Sequence, residues 1–125
     1  APNARPLSSM SPTILLKDGK AVLAAGAAGG PRIITATLQS ILPIIDRGQT
    51  PGDAVAAKRI HHQWWPHELF VEEGYPGDLQ AAFAAFGHKL SLEPDAESAA
   101  QVVYRRDGRL HGASDPRIGG RPAAK

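Results

Sequence analysis

The chain has 125 residues, 42% hydrophobic and 21% charged, enough for one domain with a real core and too few for two. Fourteen basic side chains against twelve acidic ones leave a formal charge of +2. The basic residues are scattered, so there is no electrostatic footprint for nucleic acid. The absence of cysteine excludes disulfides, thiolate metal sites and a cysteine nucleophile, and no apolar stretch approaches the length needed to cross a bilayer.

Residues 1–12 are rich in Pro and Ser and read as an extended loop, without the charged-then-apolar layout of a signal peptide. "TILLKDGKAVLAAG" follows as two apolar runs around Asp18-Gly19, a hairpin signal because that turn needs positive φ at both central positions. After Gly29-Gly30-Pro31, the spacing of Ile34, Leu38, Ile41 and Ile45 predicts a helix with those residues on its buried face. Pro43 predicts a kink or break in it, and Gly48 a stop. Thr50, Pro51 and Asp53 form the cap and first turn of a short helix reaching about Lys58.

"IHHQWWPHELFVEEG" is irregular and interrupted by Pro66. A third helix follows, with Leu79, Phe83 and Phe86 on one face and Gly87 as its stop. "KLSLE" alternates like a strand, and "AAQVVYRRDGRLHGAS" repeats the hairpin device around Asp107-Gly108 before a loose tail, "RIGGRPAAK". Hairpin, helices, then strands make an α+β fold or a layered sandwich with helices packed on sheets.

Three groups of residues have chemical potential. At Gly29-Gly30 the glycines permit close approach, and unpaired N–H groups of Gly29, Gly30 and Arg32 could face an anion or oxyanion. The plainer reading is a tight strand-to-helix turn. Ser8 and Ser9 offer hydroxyls and amides to a carboxylate, though serines beside a proline are commonly turn formers and no adjacent base activates them. His61, His62, His67 and Glu68 have poor spacing for a metal, so none is expected, and Trp64 and Trp65 read as packing residues. Arg32 fits either an anion site or an ordinary pairing with a carboxylate, and Asp115-Pro116-Arg117 fits either a site or a capped turn.

"RPLSSMSPTI", "GAAGGPRIITATLQ", "RIHHQWWPHEL" and "HGASDPR" together resemble the C-terminal part of γ-glutamyltransferase small subunits, from Asn3 to about Gly120. The resemblance implies part of an N-terminal nucleophile (Ntn) hydrolase with a four-layer αββα sandwich, spanning residues 1–125 as the small-subunit piece without its nucleophile. It implies a self-cleaved precursor and a threonine that attacks γ-glutamyl amides such as glutathione. The acyl group then passes to water, an amino acid or a peptide, with no cofactor.

By the same resemblance, Ser8 and Ser9 hold the substrate α-carboxylate, and Gly29 and Gly30 supply the oxyanion hole. The family commonly has Ser-Pro-Gly-Gly-Ser-Arg where this chain has Ala27-Ala28-Gly29-Gly30-Pro31-Arg32. Ala28 restricts the glycines less than proline does, and Pro31 removes one amide while leaving those of both glycines. No Thr, Ser or Cys stands at the start or before Ser8. The threonine is therefore expected on the preceding part of the small subunit and a substrate-binding arginine on the large subunit, with this chain inactive alone. The implied location is periplasmic or extracellular. A cephalosporin or glutaryl acylase relative and a non-catalytic anion-binding module are the alternatives.

Overall fold

A computed structural model describes residues 2–4 and 8–123. Strands β1 (Thr13–Lys17) and β2 (Lys20–Ala28) form the first hairpin, and β6 (Ala99–Arg106) and β7 (Arg109–Ser114) the last. Both turns have the positive φ that Asp-Gly tolerates, 51° and 73° at Asp18-Gly19 and 51° and 75° at Asp107-Gly108. The hairpins join through antiparallel pairing of β2 with β6, giving a sheet of order β1-β2-β6-β7.

One face of this sheet is covered by α1 (Ile33–Arg47) and α2 (Pro51–Ala56). Leu23 and Ala25 of β2, with Ala100 and Val102 of β6, pack against Ile41, Ile44, Ala54 and Val55. The opposite face is bare. Ile14, Leu16, Val103 and Leu110 are all exposed on the strands, beside an apolar groove that Pro122 helps to line.

A second sheet holds β3 (Ile60–His61), β4 (Leu69–Glu72) and β5 (Leu90–Glu93), with β4 antiparallel to β3 and parallel to β5. Parallel neighbours need a crossover, which α3 (Gly77–Ala85) supplies. Helix ends follow local chemistry. Gly48 closes α1 at φ 65° with its N–H donating to the Pro43 carbonyl, and Thr50 Oγ1 accepts the Asp53 N–H at 3.1 Å.

Several sequence expectations need correction. The α1 residues facing the sheet are Ala36, Thr37, Ser40, Ile41 and Ile44, whereas Ile34, Leu38 and Ile45 are about half exposed. Small Ala36 and Ser40 share that face with Ile41, the one residue of the predicted four that is buried, and with Ile44. The helix also continues through Pro43 without a break. Helix α2 stops at Ala56, short of Lys58. Helix α3 buries no residue: Leu79 and Phe86 are exposed, and only Phe83 is tucked against the rings of Tyr75 and His88. Trp64 and Trp65 are 80% and 75% exposed, so they are not packing residues within this chain.

Candidate active site

The first hairpin and the β6–β7 hairpin bring their open ends together. At that end of the sheet Ser8–Pro12 leads into β1 and Gly29-Gly30 leaves β2. Beside them, Glu97-Ser98 leads into β6 and Asp115 follows β7. The sequence candidates thus share one sheet end, although they come from four separate stretches of chain.

Ser8 is exposed and its Oγ accepts the Met10 N–H at 3.2 Å. Ser9 is half-buried, and its carbonyl accepts the Ser11 hydroxyl at 3.1 Å. These local bonds shape the loop while leaving the Ser8 and Ser9 hydroxyl protons without an acceptor among the described residues.

Gly29 has φ 137°, and a Cβ there would lie 2.7 Å from the Glu97 carbonyl oxygen and from Ser98 Cβ. Only glycine fits. Gly30 has φ 54° and open space around it. The Arg32 amide, a possible third donor, instead donates to the Gly29 carbonyl at 3.0 Å and closes a 3₁₀ turn over Gly30–Arg32. Among the described residues, the Gly29 and Gly30 amides donate to no other group. The turn and the free donors coexist, so the two readings of the glycine pair are compatible.

Arg32 resolves as an ion-pair residue. Its guanidinium forks onto Glu93 at 2.5 and 2.7 Å and lies 4.8 Å from the Phe70 ring centroid. The glycine turn is thereby tied to β4 and β5 of the second sheet.

Behind it lies a buried ionic network. Arg59 and Asp115, 3% and 0% exposed, pair at 2.6 Å, and Arg117 donates to both Asp115 and Glu72. The Asp115 carboxylate accepts from the Arg59 guanidinium, the Ala100 and Arg117 amides and the Arg117 side chain. Arg117, assigned to a loose tail on sequence, is therefore anchored. Arg59 and Glu72 gave no signal in the sequence, because their partners lie far along the chain.

Burial pushes the Asp115 carboxyl up, but the Ala100 and Arg117 amides and both guanidinium groups outweigh it and hold the pKa below the ordinary value. Glu72 behaves likewise: burial raises it, and bonds from Arg117, Lys58 and the Arg59 amide lower it further. For Arg59, burial lowers the pKa and Asp115 only partly offsets it. A carboxylate with a depressed folded pKa contributes stability above its unfolded pKa, about 3.9 for Asp and 4.3 for Glu, and loses it as pH falls through the folded value. Resistance of the intact protein to urea should therefore fall between pH 5 and pH 3, to a midpoint lower by on the order of 1 M. An unchanged midpoint across that range would contradict the network's role.

His61 stands apart from His62 and His67, whose ring centroids are 5.5 Å apart. His61 is buried, with Thr35 Oγ1 2.8 Å from Nδ1 and Gln63 Oε1 3.0 Å from Nε2. His62 accepts the Trp64 N–H and meets the rings of His67 and His88 edge-on. Among the described residues, no three His, Asp or Glu side chains have a metal-holding arrangement.

The gamma-glutamyltranspeptidase profile matches residues 1–125. The chain belongs to the gamma-glutamyltranspeptidase family. It is 49% identical over 116 residues to the glutathione hydrolase proenzyme of Escherichia coli, covering 93% of this chain and 20% of that protein. It is 37% identical to glutathione hydrolase proenzyme 1 of Schizosaccharomyces pombe, covering 94% and 19%. The chain thus spans about a fifth of the length of the curated relatives it matches.

A solved gamma-glutamyltranspeptidase of Helicobacter pylori superposes with TM-score 0.85 at 39% identity, over 94% of this chain and 66% of that one. A cephalosporin acylase of Bacillus halodurans superposes with TM-score 0.83 at 29% identity, over 91% and 22%. The α+β arrangement seen here, one helix layer on one sheet, is accordingly part of the αββα sandwich of the gamma-glutamyltranspeptidase fold, which this family shares with other Ntn hydrolases.

Proposed function

We propose that the chain is the carboxylate-binding and oxyanion-stabilising part of a glutathione hydrolase/γ-glutamyltransferase. The observation that carries this reading is that Ser8-Ser9 and Gly29-Gly30, whose amides are unpaired among the described residues, lie at the same end of the sheet in a chain 49% identical to a glutathione hydrolase.

In this mechanism the nucleophile is a threonine on polypeptide beyond this chain. Its Oγ attacks the γ-carbonyl carbon of the donor while its proton passes to the threonine's own α-amine. The carbonyl electron pair moves onto oxygen, where the Gly29 and Gly30 N–H groups stabilise it. Collapse breaks the C–N bond and returns the proton to the leaving amine. Water or an acceptor amine then attacks the ester and regenerates the threonine. Ser8 and Ser9 hold the α-carboxylate, fixing which carbonyl of glutamate meets the nucleophile.

The remaining polypeptide supplies the sheet that faces β1-β2-β6-β7 in the sandwich, docking on the bare face marked by Ile14, Leu16, Val103 and Leu110. The large subunit, glutathione and amino-acid or peptide acceptors are the partners in this reading, and the exported location implied by the resemblance goes with it. Within the described residues, no helix is long and apolar enough to cross a membrane.

The likeness to a cephalosporin acylase supports a second reading, a glutaryl-type acyl donor lacking the α-amine and α-carboxylate. Turnover of γ-glutamyl-p-nitroanilide and glutaryl-p-nitroanilide by the full-length protein separates the two, and preference for the glutaryl amide overturns the first. In the first reading, the combined Ser8→Ala and Ser9→Ala substitutions raise KM. Each bond to a charged group is worth about 1.5–3 kcal/mol, or roughly 10- to 100-fold. An unchanged KM removes the serines from the site.

A further inference from the structure

The fold brings together basic residues that lie far apart in the sequence. The Asp18-Gly19 and Asp107-Gly108 turns project from the same end of the sheet, because β2 and β6 pair antiparallel at its centre. Lys17, Lys20, Arg105 and Arg109 flank those turns and are exposed, as is Arg47 at the end of α1. The Arg106 guanidinium donates to the Gly48 carbonyl at 2.9 Å, which fixes the end of α1 beside them. Six basic residues therefore share this end with three carboxylates, those of Asp18, Asp46 and Asp107. Among the described residues, none of the six forms a salt bridge.

Two strand pairings work against stability here. Lys17 stands directly opposite Lys20, and Arg106 directly opposite Arg109. Like charges placed directly opposite each other destabilise a strand pair. The hairpins do not require them, since positive φ at Asp-Gly is all that the turns demand. We propose that this hairpin-tip end docks on the anionic headgroups of a phospholipid bilayer, which complement the gathered charge. Nucleic acid fits less well. Tyr104 is the only Phe, Tyr or Trp of the four strands, and it is half-buried with the Arg106 guanidinium 5.4 Å from its ring, so no base can stack on it. The Asp18 and Asp107 carboxylates also sit at the tips, where a duplex carrying one negative charge per about 1.7 Å would meet them directly. A fluid bilayer presents its anionic headgroups singly, to each basic side chain in turn.

The docking fixes an orientation. Strand β2 runs nine residues from Lys20 to Ala28, about 30 Å at roughly 3.4 Å per residue, so Gly29-Gly30 lies at the far end of the sheet. A protein resting on its hairpin tips holds the candidate active site away from the membrane, open to soluble donors. The attraction decays within about 8–10 Å at moderate salt, so only the tips feel it. This docking does not depend on the chemistry at the opposite end.

The test uses the full-length protein and sedimenting vesicles of phosphatidylcholine, alone or mixed equally with phosphatidylglycerol. Binding is expected to the mixed vesicles only, and it should be lost between about 0.02 M and about 0.5 M salt. Each basic residue near such a surface strengthens binding by roughly 5-fold. The combined Lys17→Gln, Lys20→Gln, Arg105→Gln and Arg109→Gln substitutions should therefore weaken it by on the order of 100-fold or more. The lysine pair and the arginine pair, replaced separately, should each give about half of that loss on a logarithmic scale, and they decide the question if the fourfold variant does not fold. Urea midpoints equal to or above the parent's verify folding, since opposed like charges are removed. No binding to mixed vesicles, or undiminished binding by the folded variants, overturns the proposal. Tighter binding to duplex DNA than to vesicles at equal salt overturns it in favour of a nucleic-acid surface. Release by inorganic phosphate, but not by chloride of equal ionic strength, overturns it in favour of a discrete phosphate site.

Discussion

Gly29→Ala is expected to lower kcat of the full-length enzyme by about 10²–10³-fold, the loss typical when one oxyanion donor is displaced. Two independent constraints converge on this residue. Its φ of 137° is rarely adopted by an L-amino acid, and its missing side chain makes room for the Glu97–Ser98 backbone. A methyl group would lie 2.7 Å from the Glu97 carbonyl oxygen and 2.8 Å from Ser98 Cα. Neither atom is the yielding tip of a side chain, so the glycine turn itself must move.

Gly30→Ala is the matched comparison. Nothing lies within 4 Å of its hypothetical Cβ, and its φ of 54° is the left-handed region that costs alanine about 1–2 kcal/mol. Steady-state kinetics should therefore show a much smaller fall in kcat for Gly30→Ala. Equal losses at the two positions would show that backbone space is not what distinguishes them. A Gly29→Ala enzyme with normal kcat would remove this amide from the reaction.

Asp115→Asn should cost the folded protein about 3–5 kcal/mol, the range for removing one partner of a buried ion pair. The carboxylate presents one oxygen to Arg59 and the Ala100 amide and the other to the backbone and side chain of Arg117. Asparagine has a single carbonyl oxygen. Whichever way its amide turns, an NH₂ group faces donors on one side, and the 3%-exposed Arg59 loses its charge partner. Urea unfolding of the intact protein at neutral pH checks this. A loss below about 1 kcal/mol would place Asp115 with ordinary surface ion pairs.

The features legible in the sequence are those encoded within a few residues. Asp18-Gly19 and Asp107-Gly108 announce their hairpins because their turns demand positive φ, and Gly48 marks the end of α1 for the same reason. Thr50 and Asp53 carry the capping signal within one turn. Strands β3 and β4 escaped notice. One is two residues long, and the other follows the irregular Trp64–Glu68 segment. The sheet-facing side of α1 is only partly legible, since Ile41 is buried but Ile34, Leu38 and Ile45 are not, and periodicity alone does not say which apolar stripe meets the sheet. Ser8, Ser9, Gly29 and Gly30 were visible as candidates, but their shared end of the sheet depends on strand pairing. Arg59 and Asp115, 56 positions apart, meet only in the folded chain.

The same pair gives the fold an unusual indifference. Arg59, Glu72, Asp115 and Arg117 link the segment after α2, the second sheet and the segment after β7, joining distant stretches much as a disulfide would. In a chain without cysteine this cross-link has no reduction potential. Thiols and changes of redox compartment leave these four residues untouched, whereas acid protonates their carboxylates. This part of the protein is therefore a structure that reductants do not open and protons do.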